Sequence, residues 1–238
     1  MSRKLGILGG MGPLATVEFM QKIISRTPAH NDQQHIPMLV SNNPQIPDRT
    51  AYILGGGQDP FPVLKQGLEQ LQDAGAECIV MPCNTAHYWY PRLTGCSKVH
   101  TISIIDSVVD EAKLRQYRKV GVMATSATMM TRMYQTKLAQ KQIEAIETTE
   151  DEQQAVMEGI YAVKAGNVEY GKQLMQPVFK ALLARGAEAV IFGCTEIPVA
   201  LSEQTIEQPQ SCLDSLDILA EQSILWAQAD ITEPEMVA

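Results

Sequence analysis

GAECIVMPCNT (residues 75–85) and GAEAVIFGCTE (residues 186–196) are one pattern written twice. Each copy opens Gly-Ala-Glu and passes through a mostly apolar five-residue connection. Each then reaches a cysteine at the same distance from its glycine, Cys83 in one and Cys194 in the other. A short apolar run bounded by turn residues reads as a strand buried in a parallel sheet. Amphipathic segments lead into both copies: Val63, Leu64, Leu68 and Leu71 within 60–74, and Val178, Leu182 and Leu183 within 177–185. Gly75 and Gly186 suit left-handed helix C-caps, so the repeat takes in a helix stop as well as a strand.

A second echo lies further out. Lys4-Leu-Gly-Ile-Leu-Gly-Gly resembles Lys119-Val-Gly-Val-Met-Ala-Thr, and each opens one half of the chain. Strands are expected at 4–8, 38–41, 78–81, 101–105, 120–124, 143–147 and 189–192, and weakly at 211–213. Between them lie helical patterns, among them 14–26 (Val17, Met20, Ile23, Ile24), 151–165 and 215–228 (Leu216, Leu219, Ile224). Strands alternating with helices specify an α/β fold built of parallel sheets flanked by helices. The halves are expected at 1–115 and 116–210, with 211–228 packing back onto the first and a frayed tail over 229–238. No low-complexity linker separates them, so a tight junction with a cleft is expected.

Composition narrows the function. The 238 residues carry 19 basic against 27 acidic side chains, a net charge of −8, with no basic stripe of the kind nucleic acid requires. Apolar runs of five to eight residues are too short to span a bilayer. The Met-Ser-Arg-Lys start runs at once into a strand, and a cytoplasmic protein without a signal peptide is expected. The cysteines at 78, 83, 96, 194 and 212 include no C-x-x-C, and their spacings fit no zinc site. Cys78, Cys96 and Cys212 read as packing or loop residues.

Ligands of parallel sheets bind beyond the carboxyl ends of the strands, and Cys83 and Cys194 fall there. A following helix start would favour the thiolate. Its N–H groups, with the Asn84, Thr85 and Thr195 side chains, could hold a carboxylate. The glycine-rich loop from Gly6 to Pro13 departs from G-x-G-x-x-G, and no acidic residue ends the second strand to hold a ribose. Close approach to a small ligand suits it better. The stiff loop Asn42-Asn-Pro-Gln-Ile-Pro-Asp-Arg-Thr50 presents Arg49, which reads either as carboxylate capture or as a solvated surface arginine. Lys164, just before Gly166, reads from its position alone as a helix-dipole lysine. Cys83 and His87, four apart, hint at a nucleophile pair or a metal pair, but no second histidine attends Cys194.

Taken together, LGGMGP (8–13), NNPQIPDRT (42–50), MPCNTAH (81–87) and FGCTEI (192–197) resemble the aspartate/glutamate racemases, in particular the cofactor-independent aspartate racemase branch. The resemblance runs over nearly the whole chain. It implies two pseudo-symmetric α/β domains, a homodimer, and an active site in the cleft between domains. It also implies Cys83 and Cys194 as paired acid/base groups acting on a small acidic amino acid, with no cofactor. Arg49 and Lys164 become basic residues of the site, and Met11, Thr50, Asn84, Thr85, Thr125, Thr195 and Glu196 are expected to contact substrate. The glutamate branch has Asp-Ser-Gly at its opening and Cys-Thr-His after the second cysteine strand; this chain has Gly-Gly-Met-Gly and Cys-Thr-Glu, which puts a strict glutamate preference in doubt. A decarboxylase or cis–trans isomerase of small dicarboxylates, a Cys–His hydrolase and a non-enzymatic carboxylate binder remain as alternatives.

Overall fold

A computed structural model describes residues 3–229; of the tail expected over 229–238, all but Ala229 lies outside them. Eight strands form in chain order: β1 (Leu5–Gly9), β2 (Met38–Asn42), β3 (Cys78–Val80), β4 (His100–Ile102), β5 (Lys119–Ala124), β6 (Glu144–Ile146), β7 (Ala189–Gly193) and β8 (Cys212–Asp214). They make two parallel four-stranded sheets, ordered β2-β1-β3-β4 and β6-β5-β7-β8. The order is the same in both, so the duplicated sequence has become a duplicated topology. Each sheet reverses direction of winding between its first and third strands, and that switch point opens a crevice at the strand carboxyl ends. The residues just past β1, β3, β5 and β7 all lie there.

The strands form where apolar runs are buried on both faces. β1, β3, β7 and β8 are buried throughout, as parallel strands covered by helices must be. The helices before β3 and β7, Phe61–Asp73 and Val168–Ala184, each end near a glycine in the left-handed region, Gly75 at φ 91° and Gly186 at φ 95°. The second helix is longer than expected and carries Pro177 inside it.

Two elements depart from the sequence reading. Residues 101–105 were expected to form one strand, but β4 ends at Ile102. The Ser103 hydroxyl accepts from the Asp106 N–H and caps a helix, Ile104–Leu114, which buries Ile104, Ile105, Val108, Val109 and Ala112. In the helix Pro13–Arg26 the buried face is Ala15, Thr16, Phe19 and Ile23, while Val17 and Ile24 are 52% and 47% exposed. Phe19 is the largest apolar side chain there and turns its own face inward.

The segment 211–228 divides. Its strand, β8, is the edge of the second sheet beside β7. Only the helix Ser215–Gln228 crosses back, packing on the helices Pro13–Arg26 and Ile104–Leu114. Arg26 pairs with Asp217 at 2.7 Å, and Lys22 also engages Asp217. One apolar core runs through the junction, joining Leu5, Ile7 and Phe19 of the first half to Val120, Val122, Tyr134 and Leu213 of the second. No described helix is long and apolar enough to cross a membrane.

The paired helix stops allow a matched test. An alanine side chain in the left-handed region costs about 1–2 kcal/mol. Gly75→Ala and Gly186→Ala are each expected to lower the urea midpoint by an equivalent of that size, with the denaturant slope unchanged. Unequal losses would show that the two stops are not structural equivalents.

Candidate active site

Four loops converge at the two switch points. Met11 follows β1, Cys83 to Thr85 follow β3, Thr125 follows β5, and Gly193 to Glu196 follow β7. Asp48, Arg49 and Thr50 come from the loop after β2 and the short helix it begins, and Lys164 from the end of the helix Glu150–Lys164. These residues line one pocket, and all eleven side chains expected from the sequence are in it. Asp48 and Gly193 join them without having been anticipated. Asp48 was legible as an N-cap: its carboxylate accepts from the Ala51 N–H at 2.7 Å and fixes the turn that carries Arg49.

The first loop comes close because Gly10 has φ 94° and a Cβ there would lie 2.2 Å from the Asn43 carbonyl oxygen. The space enclosed by the converging loops is about 30 Å³, room for water but not for an amino acid. Arg49, Lys164, Thr195 and Glu196 also border a vestibule of about 390 Å³, between the start of the helix Pro13–Arg26 and the end of Glu150–Lys164.

The two thiols are both buried, at 7% and 9% exposure, in different company. Cys194 Sγ donates to Glu196 Oε2 at 2.9 Å, and Thr195 Oγ1 donates to the same oxygen at 3.1 Å. Burial pushes the Cys194 thiol well above the usual thiol range, and the Glu196 carboxylate pushes it further; Lys164 opposes them. The helix-start effect expected to favour the thiolate at this position is outweighed. The helix concerned, Glu196–Ala200, spans only five residues, and a carboxylate lies against the sulfur. Cys194 thus rests as a thiol.

Lys164 is an exposed residue that borders the pocket. Desolvation there disfavours its charge, but Glu196, Cys194 and Cys83 more than offset it and raise its pKa above the lysine range. Lys164 is a fixed positive charge of the site. Arg49 is held by the Ile46 and Pro47 carbonyls at 3.1 and 3.0 Å, while its buried Nε has no partner. An oriented guanidinium with a donor unfilled is prepared for an anion.

Asn84 does not hold its amide free for a ligand, as the sequence suggested. Its Nδ2 donates to Ser215 Oγ at 3.0 Å, and its Oδ1 accepts from the Tyr134 hydroxyl at 2.6 Å. The Ser215 hydroxyl in turn donates to the Phe192 carbonyl at 2.8 Å. Thr85, Thr125 and Thr128 form a ring of hydroxyls at 3.0–3.2 Å across the junction. Asn84, Thr85 and Thr125 therefore lock the halves together as well as lining the pocket. Tyr134, Thr128 and Ser215 are supports that local sequence spacing could not reveal, because their partners lie far away in the chain.

His87 is not a base for Cys83. Its Nδ1–H donates to the Cys83 carbonyl at 2.8 Å, and its Nε2 accepts the Ile104 N–H at 3.0 Å. Both nitrogens are used by backbone, and burial lowers its pKa to about 4. A neutral imidazole clamps the Cys83 turn to the helix Ile104–Leu114. Among the described residues no cluster of three or more His, Cys, Asp or Glu could hold a metal ion.

Residues 8–223 match the Asp/Glu/hydantoin racemase family. The fold matches the aspartate racemase of Picrophilus torridus with a TM-score of 0.82 and 31% identity, over 93% of this chain and 94% of that one. It matches an aspartate racemase homologue from Pyrococcus horikoshii OT3 with a TM-score of 0.76 and 25% identity, over 95% and 99% of the two chains. The broad specificity amino-acid racemase RacX of Bacillus subtilis is 28% identical over 92% of this chain and 96% of its own.

The neutral His87 makes the fold acid-sensitive in a defined window. Between pH 6.5 and 4 the unfolded chain binds a proton at this imidazole that the folded chain refuses, so stability falls as pH falls. The loss is about 3 kcal/mol by pH 4. Asp214, raised to about 6 by burial and by Asp217, acts in the opposite sense over part of that range. Comparison with His87→Gln isolates the histidine: the stability advantage of the wild type over this variant should shrink by about 3 kcal/mol between pH 7 and 4. A pH-independent difference would refute a neutral clamp.

Proposed function

The chain belongs to the Asp/Glu/hydantoin racemase family, and from that premise we propose that it interconverts L- and D-aspartate by cofactor-independent, two-base proton transfer, with Cys83 and Cys194 as the acid/base pair. The observation that carries this reading is the convergence of two equivalent switch-point cysteines, one from each sheet, on a single pocket with Arg49 and Lys164. Inversion at a carbon requires removal of a proton from one face and delivery to the other, so a base from each half is needed.

With Cys194 resting as the thiol, the enantiomer whose Cα–H faces Cys83 gives that proton to the Cys83 thiolate. Cys194 then donates its own proton to the opposite face of Cα. For the mirror-image substrate the roles are exchanged. The Cα proton is a very weak acid, so the developing negative charge must be met by fixed donors. Lys164 supplies positive charge to the pocket, and the turns after Cys83 and Cys194 supply backbone N–H groups. Arg49 would hold the side-chain carboxylate through the donors its loop leaves free. Glutamate, one methylene longer, is a second substrate of the same chemistry.

Reaction in D₂O tests the proton transfer: product formed from either enantiomer should carry deuterium at Cα, and chiral analysis should show approach to a racemate without loss of CO₂. Cys83→Ala and Cys194→Ala should each lower racemisation by roughly 10²–10⁴-fold, the span of a general acid or base. Wild-type rates in either variant would remove that cysteine from the mechanism.

Arg49→Leu separates substrate classes. Loss of a charge-assisted contact of about 1.5–3 kcal/mol should lower kcat/KM for aspartate by about ten- to a hundredfold, and that for alanine far less. Equal losses on both substrates would place Arg49 elsewhere than on the side-chain carboxylate.

A further inference from the structure

A two-base racemase leaves a problem after each turnover. Product departs from an enzyme in which Cys83 holds the proton and Cys194 is the thiolate, the reverse of the form that began. The same enantiomer cannot be turned over again until one proton has left Cys83 and another has reached Cys194. In this chain the two sulfurs have unequal routes to solvent protons. The position beside Cys83 that corresponds to Glu196 is Thr85, whose hydroxyl is tied into the ring with Thr125 and Thr128. Glu196 is a carboxylate 2.9 Å from Cys194 Sγ, half-buried, and it lines both the enclosed pocket and the open vestibule.

We infer that Glu196 resets Cys194 between turnovers, carrying a proton from vestibule water to the sulfur. This rests on the two-cysteine mechanism proposed above. The carboxylate takes a proton from water or a buffer acid on its vestibule side. It transfers that proton to the Cys194 thiolate, forming the S–H bond and restoring the carboxylate. The Cys83 proton leaves to water through the vacated pocket, so charge and protons balance. Glu196 is a positioning and relay group acting through Cys194, not a contact of the reacting carbon.

Its surroundings suit that task. Lys164 on one wall compensates the carboxylate, while Glu18 on the other sits among the same charges, its pKa raised by burial with a contribution from Glu196 itself. Arg49 completes the ring around the shared border. A carboxylate here would repel either carboxylate of the substrate. The remaining ligand role is to hold the substrate ammonium, and the two roles differ kinetically. Loss of an ammonium contact weakens capture of the substrate and lowers kcat/KM. Loss of the relay slows only the return of the free enzyme, a step that kcat contains and initial-rate kcat/KM does not.

The test is initial-rate racemisation of L-aspartate by the wild type and Glu196→Gln, in dilute and concentrated acetate buffer. Glutamine keeps the acceptor oxygen but cannot carry the proton. The expected result is kcat lowered about tenfold or more, kcat/KM lowered much less, and kcat recovered as the buffer acid replaces the relay. An unchanged kcat, or kcat and kcat/KM falling together without recovery, overturns the inference. A second measurement compares product inhibition in the two proteins. In the wild type, where the relay resets the enzyme quickly, inhibition by D-aspartate should be close to competitive; in Glu196→Gln, D-aspartate should also lower the apparent maximal rate, because it captures the form awaiting its proton, and an inhibition pattern identical in the two proteins overturns the inference. A wild type that racemises nothing would refute the proposed function instead, so the two failures are distinguishable.

Discussion

The site depends on a buried hydrogen-bonded seam between the halves. Cys83 and Cys194 are presented by different sheets, so their common pocket exists only if the sheets cannot slide. Asn84 spans the junction, with Tyr134 donating to one end of its amide and Ser215 accepting from the other. The three threonine hydroxyls close a second link alongside. An apolar interface alone would hold the halves together but tolerate small shifts. A buried polar seam does not, because each displaced donor or acceptor costs about 1–3 kcal/mol when left unsatisfied. The seam runs through the residues next to Cys83, so the constraint that fixes the junction also fixes that cysteine.

How much of this was legible in the sequence follows from the range of the interactions. All eight strands could be read, the last weakly, because strands buried on both faces are continuous apolar runs and glycines mark the preceding helix stops. The boundary after β4 was misread because Ile104 and Ile105 are as apolar as a strand residue, and only the Ser103 cap reassigns them to a helix. The face of the helix Pro13–Arg26 was misread because several faces carry apolar residues and tertiary packing chooses among them. The pocket residues could be located because they follow strand ends, a local rule. Their jobs could not. Asn84 meets Ser215 across 131 positions of chain, and His87 meets Ile104 across 17. No spacing rule sees such pairs.

Electrostatics corrected the sequence reading most. Two cysteines at equivalent places in a repeat suggest equal thiols, each tuned by the turn that follows. The strand orders are indeed equivalent. The charges are not: Cys194 has Glu196 against its sulfur and Lys164 beside it, whereas the turn of Cys83 is clamped through its carbonyl by a neutral imidazole. Duplication copies topology cheaply, since a strand order is specified by many residues. A single side chain after the cysteine is enough to set the two thiols apart.

That inequality is compatible with a reaction on mirror images. Water does not distinguish the enantiomers, so the equilibrium constant of a racemisation is unity. The ratio kcat/KM must then be the same in both directions, however different the two bases are. What asymmetry can change is how that ratio divides between binding and turnover, and how quickly each sulfur regains its starting proton. A fully symmetric site would have to hold the α-carboxylate, the ammonium and the side chain of each enantiomer in mirrored positions, which a chain of L-residues cannot provide. The geometry here divides the labour. In the proposed mechanism the sheets supply two matched positions for proton transfer, and the unmatched neighbours that line the same pocket, Arg49, Lys164 and Glu196, supply a single fixed frame in which either enantiomer must fit.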